Sequence, residues 1–169
     1  MNLDGVLRVG HAPWLPSPSA TDLDAWHVYD IPLIGTFRHE GQVVLFTAMD
    51  DADADVSVWT YCALTPEQAQ AAEDVTYEDT AGMLAAVEEI CDGKEVAVAL
   101  AVDLEVKLWG RLRVESGLLA ATRRFLEDIR ANLASELSAT VLRAEIQAGV
   151  RELEDVPISG SLSAITTTT

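Results

Sequence analysis

From residue 96 to residue 108, apolar and small or charged side chains alternate without a miss. Val96, Val98, Leu100, Val102, Leu104, Val106 and Leu108 stand against Ala97, Ala99, Ala101, Asp103, Glu105 and Lys107. A period of two sends successive side chains to opposite faces of a strand, and seven matches in a row leave little room for a helix. The pattern predicts one long strand over 95–108 and therefore a sheet to receive it. Its alanine side suits the close approach of a helix. The charged continuation after Asp103 predicts that the strand then runs into solvent or bends.

Upstream the same period returns in shorter pieces. Residues 27–29 and 33–37 read as one extended stretch, and Pro32 within it argues for an edge strand or a bulge. Residues 38–41 form a turn with Gly41 in the positive-φ position. In 42–49 both faces are apolar, Val43, Leu45 and Met49 on one and Val44, Phe46 and Ala48 on the other, so this strand is expected to be central and covered twice. A third strand follows at 56–64, with Val58, Thr60 and Cys62 on one side and Trp59 and Tyr61 on the other. Such short connections exclude parallel crossovers, so 27–64 is expected to be an antiparallel meander.

Helical signals separate and follow these strands. Thr65 caps and Pro66 opens a first short helix. A second is expected to start at 76–79, burying Tyr77, Ala81, Leu84, Val87 and Cys91 and ending at Gly93. From Glu115 to about Asp155 apolar residues recur at three- and four-residue steps, which predicts a long C-terminal helix. Forty helical residues would measure about 60 Å, more than a domain of this size covers, so the helix is expected either to break at 135–138 or to pair with another copy.

The chain is therefore expected to be a single α+β domain over 1–156, with an antiparallel sheet of about four strands. The two short helices should cover one face and the C-terminal helix the other. Residues 1–26, punctuated by Gly5, Gly10, Pro13, Pro16 and Pro18, read as an irregular arm anchored by Trp14 and Trp26. Residues 157–169 read as a Ser/Thr-rich tail.

Charge bounds the function. The net charge is −17 over 169 residues, which repels phosphate backbones and anionic headgroups, so neither nucleic acid nor a membrane is an expected partner. The excess is uneven: residues 50–95 hold thirteen acids against one lysine. The start of the chain lacks a basic region followed by a long apolar stretch, and the longest apolar run, 96–102, is far below the roughly 20 residues of a membrane span. A cytoplasmic location is expected. The two cysteines, Cys62 and Cys91, lie in apolar segments without a second cysteine or histidine at ligand spacing and are expected to be reduced, buried thiols.

Chemical motifs are weak. Asp51, Asp53 and Asp55 are spaced like the first ligands of a calcium loop, but Val56 stands where glycine is needed and Cys62 where glutamate is needed. His11, His27 and His39 form no metal-ligand pair, and although His39-Glu40 has acid/base chemistry, polar residues are ordinary at a turn. Ser17 and Ser19 lie among prolines without a nucleophile elbow, and no glycine-rich phosphate loop occurs. Trp14, Trp26, Tyr29, Trp59, Tyr61 and Trp109 are expected mainly in the core or at its edge, with Trp59 and Trp109 the ones placed to anchor a partner. No cofactor, metal or catalytic residue is expected.

The leading expectation is a non-enzymatic protein-binding module, such as an inhibitor, an immunity or antitoxin-like protein or an accessory subunit, that offers an acidic face to a basic partner. Its contact residues would be Asp50, Asp51, Asp53, Asp55, Glu73, Asp74, Glu78, Asp79, Glu88, Glu89 and Trp59. The alternative is a homo-oligomeric structural protein that associates through Leu126, Ile129, Leu133, Leu137 and Val141 of the last helix. A third class is an enzyme or ligand-binding protein whose site shows no motif.

Overall fold

The architecture follows from a computed structural model that describes residues 3, 5–49, 56–74, 79–135 and 164–166. Four strands come first, β1 (Ala20–Tyr29), β2 (Ile31–His39), β3 (Gln42–Ala48) and β4 (Val56–Ala63). Two helices, α1 (Pro66–Asp74) and α2 (Thr80–Cys91), separate them from β5 (Glu95–Val102) and β6 (Glu105–Arg113). Helix α3 (Leu118–Ser135) follows, and a three-residue strand β7 (Ala164–Thr166) adds to the edge of β6. Every pairing is antiparallel and the strands lie side by side in chain order.

The chain is thus α+β with an antiparallel sheet, but the sheet has six long strands rather than about four. Two differences account for this. The expected strand 95–108 is a hairpin, β5 and β6, which turns at Asp103 and Leu104, both at positive φ. The expected single stretch through 27–29 and 33–37 is two antiparallel strands that turn at Asp30, at positive φ, and the last residues of the expected arm 1–26 extend the first of them, β1, so that it pairs along the whole of β2.

Local chemistry explains the elements. The turn between β2 and β3 puts Glu40 and Gly41 at positive φ, the geometry whose twist matches a two-residue hairpin. Pro32 is accommodated because β3 pairs with β2 only from Ile34 onward, so no donor is missed on that side. At α1 the Gln68 N–H donates to Thr65 Oγ1 at 3.1 Å and the Thr65 N–H donates to Gln68 Oε1 at 3.1 Å, a reciprocal cap. Helix α2 starts later than expected, because Asp79 is its cap and accepts from the Gly82 N–H at 2.6 Å. Its buried face is therefore Met83, Val87 and Cys91, while Leu84 is exposed and Tyr77 lies outside the described residues.

Two apolar layers enclose the sheet. On one face Leu45, Val58, Cys62, Val98 and Leu100 meet Met83 and Val87 of α2 and Leu118, Phe125 and Leu126 of α3. On the other, Phe37, Val44, Phe46, Trp59, Tyr61 and Trp109 meet Leu3, Val6, Leu7, Trp14 and Leu15 of the N-terminal segment. The expected division of helices between the faces is therefore corrected: α2 and α3 share one face, and the arm rather than a helix covers the other, against Ala97, Ala99 and Ala101.

The Tyr61 hydroxyl fixes that arm by donating to the Pro13 carbonyl at 2.7 Å from a fully buried position. Burial holds this phenol well above its usual value near 10. As pH climbs past about 10 the unfolded chain releases this proton and the folded one keeps it, so stability present below that pH falls above it by about 1.4 kcal/mol per unit. Urea midpoints taken from pH 9 to 11 are expected to fall more steeply for the native chain than for Tyr61→Phe.

Candidate functional site

Arg38 is the one lysine or arginine between Arg8 and Lys94. It projects from β2 between two acids, with Nε 3.8 Å from Asp22 Oδ2 of β1 and Nη2 3.7 Å from Glu73 Oε1 of α1. The pairs are long and about half exposed, so each contributes no more than about 1 kcal/mol. Around them lies a small cavity of about 140 Å³ that also takes in Asp24 and Thr36. It shares Arg38, Val43, Ala69 and Glu73 with a wider groove of about 620 Å³, whose other wall carries Glu40, Gln42 and Gln70. Val43, Leu64 and Ala69 give the groove an apolar floor, and Asp22, Asp24, Glu40 and Glu73 set four carboxylates around a single guanidinium.

That arrangement suits the side chain of lysine or arginine. The methylene stem lies on apolar surface while the charged head remains among oxygens. Beside the groove, β1 is the edge of the sheet and is mostly exposed, with Leu23, Val28 and Tyr29 uncovered. Register shifts at three places along β1 twist it, a feature that discourages indiscriminate edge pairing. Lys94 reaches Gln68 of α1 and the Ala63 carbonyl near the end of the groove, and three further basic residues lie far from it. Lys107, Arg111 and Arg113 belong to β6, five strands and so about 24 Å across the sheet. The Arg111 guanidinium stands over the Trp109 ring, 5.4 Å from its centre. Arg124 donates to the Arg113 carbonyl at 2.9 Å rather than reaching the acids of β1 and α1.

The residues expected at a partner surface separate into several roles. Glu73 lies in the groove, and Glu89 is exposed on α2. Asp79 caps α2. Glu88 is committed to α3: its carboxylate accepts from the Leu118 N–H at 3.2 and 3.0 Å, an anion on a helix N-terminus. Gly117 precedes that cap at φ +92, and a Cβ there would meet Glu88 Oε2 at 3.3 Å. Glu88→Ala is expected to lower stability by about 1 kcal/mol, read as a fall in the urea midpoint, with Glu88→Gln retaining most of it. Asp50, Asp51, Asp53, Asp55 and Glu78, and the side chain of Asp74, lie outside the described residues.

Burial corrects three expectations, of which the anchor at Trp109 is one, since its ring is 6% exposed and lies in the arm-side core. Trp59 has 0% of its surface exposed, donates through Nε1 to Ser57 Oγ at 2.8 Å, and packs on Phe46 and Trp14, so it presents nothing to a partner. Leu126 is 3% exposed and belongs to the helix-side core of its own chain rather than to an assembly seam. The side chains of Ile129 and Leu133, and all of Leu137 and Val141, lie outside the described residues.

The histidine–serine chemistry is built into the arm. His39 Nδ1 is 2.9 Å from Ser19 Oγ and 3.4 Å from Ser17 Oγ, while Nε2 is enclosed without a hydrogen-bond partner and lies 4.0 Å from Glu40 Oε2. A catalytic imidazole needs an open nitrogen facing substrate; this one closes the arm against the end of β2. Among the described residues no three His, Cys, Asp or Glu side chains gather as metal ligands, and no helix is long and apolar enough to cross a membrane.

Sequence reasoning did not place Asp22, Asp24 and Arg38 at a site, and considered Glu40 only as a partner of His39. The available signal was the isolation of Arg38 in an acidic stretch. The fold and groove define an antiparallel α+β protein with an acid-rimmed cleft at one sheet edge. No protein-family model, curated protein or solved structure matches the chain.

Proposed function

We propose that the protein is a non-enzymatic binding module that receives a basic protein segment along β1 and in the adjoining groove. The observation that carries this reading is the groove itself: four carboxylates and one weakly held guanidinium around an apolar floor, beside an open strand edge. An incoming lysine would displace Arg38 from Asp22 or Glu73 at small cost, because those pairs are long and solvated. Main-chain pairing along β1 would supply affinity, and the carboxylates would supply charge selection and a fast encounter. The net charge of −17 adds a long-range field of the same sign.

A fluorescent peptide alternating lysine and valine tests this by anisotropy. Binding is expected at 50 mM NaCl, with at least a tenfold loss of affinity at 300 mM, since exposed charges are screened at that ionic strength. The double variant Asp24→Lys/Glu73→Lys should bind at least tenfold more weakly. Equal binding of an aspartate–valine peptide, or affinity indifferent to salt, would refute the reading.

A further inference from the structure

Cys62 and Cys91 are the chain's two cysteines, and 28 residues separate them in sequence, yet their side chains are hydrogen-bonded to each other. Cys62 stands on β4 and Cys91 ends α2; both belong to the helix-side core, 1% and 2% exposed, and neither is in a disulfide. Lys94, three residues after Cys91, reaches back over the pair. Its Nζ donates to the Ala63 carbonyl at 3.4 Å and to Gln68 Oε1, which fixes an ammonium beside both sulfurs. A structural thiol needs only apolar neighbours. This pair has in addition a second thiol in contact and a fixed cation.

We propose that Cys62 and Cys91 are a two-electron redox couple that a hydroperoxide closes into an intramolecular disulfide between β4 and the last turn of α2. Cys62 is the attacking sulfur. The hydrogen bond from Cys91 and then the charge of Lys94 favour its thiolate against its burial and its 3.7 Å contact to the Ala63 carbonyl, whereas the hydrogen bond to Cys62, and then burial, hold the Cys91 thiol up. The Cys62 sulfur attacks the terminal peroxide oxygen, the O–O bond breaks, the alcohol or water departs, and Cys62 becomes a sulfenic acid. The Cys91 sulfur then attacks Cys62, the S–O bond breaks, and the hydroxyl leaves as water with the Cys91 proton. Two thiols are oxidised and one hydroperoxide is reduced to alcohol (or water) and water. Burial selects the oxidant, because a small neutral peroxide reaches sulfurs that a bulky disulfide does not.

The test uses the full chain, reduced, freed of reductant and treated with hydrogen peroxide. Alkylation in denaturant and intact-mass spectrometry then count the thiols. The expected product is a monomer with no alkylated cysteine, two hydrogens lighter, restored by dithiothreitol, with a Tm higher by about 5–10 °C from closure of the loop. Cys91→Ser should trap a sulfenic acid at Cys62 that reacts with dimedone, while Cys62→Ser should leave residue 91 unmodified. Cys91→Ala repeats the first arm if the serine variant fails to fold. Both thiols still alkylated at peroxide levels that oxidise the methionines would overturn the proposal, as would a bridge only between chains or sulfinic acid without a bridge.

Discussion

Trp59→Ala is expected to remove about 4 kcal/mol of stability and to leave affinity for a basic peptide unchanged per folded molecule. The ring is fully buried between Phe46 on its own sheet face and Trp14 of the N-terminal segment, at centre distances of 6.3 and 6.2 Å. Truncation opens a cavity that the flanking strands cannot close, because β3 and β5 are tied to β4 on either side. A domain of this size has only about 5–15 kcal/mol in total, so the variant should melt more than 10 °C lower. Trp59→Phe should lie between the two, since it keeps most of the packing but strands the Ser57 hydroxyl. Urea unfolding and peptide anisotropy on the same samples decide the matter. A partner-facing anchor would give the reverse pattern, with affinity lost and stability kept.

Gly35→Ala is expected to cost about 3 kcal/mol and to act locally on the groove. Gly35 pairs with Ala25 of β1 and with Phe46 of β3, so both neighbouring backbones close on it. A Cβ there would fall 2.3 Å from the Asp24 carbonyl oxygen, 3.0 Å from the Ala25 Cα and 3.1 Å from Phe46 Cζ. Phe46 can rotate slightly, but the β1 backbone must move away. The strand that carries Asp22 and Asp24 therefore leaves β2, and peptide affinity should fall together with stability. Amide exchange should accelerate in β1 while β4 and β5 keep their protection. Unchanged protection in β1 would contradict the geometry.

The central strands were legible because burial on two faces wrote itself into both parities of 42–49 and 56–64. The edge was not. β1 is exposed along most of its length and interrupted by register shifts, so nothing imposes a period of two on it. The hairpin of β5 and β6 was hidden by a cancellation. A two-residue turn pairs Val102 with Glu105 and so swaps which parity faces the helices; the extra residue Lys107 swaps it back, so that Leu108 meets Leu100. Even positions stay apolar throughout, although Val106 faces the arm with Ala101. The charged continuation after Asp103 signalled a bend but not a full reversal, because Leu104 adopts the positive φ that glycine or asparagine usually signals. The Thr65 cap of α1 was visible because its chemistry is local, although the return bond through Gln68 was not read. The groove and the thiol pair were not visible, since each joins elements remote in sequence.

The central claim, that the acid-rimmed edge of β1, β2 and α1 is where a basic segment binds, is tested most directly by mapping that contact. Isotope-labelled full-length protein is titrated with the lysine–valine peptide at 50 and 300 mM NaCl and followed by two-dimensional NMR. Amide shifts are expected in 20–29, 36–43 and 66–74 at low salt and should largely vanish at high salt. Shifts centred on β6 and α3, or spread over the whole sheet and indifferent to salt, would contradict it.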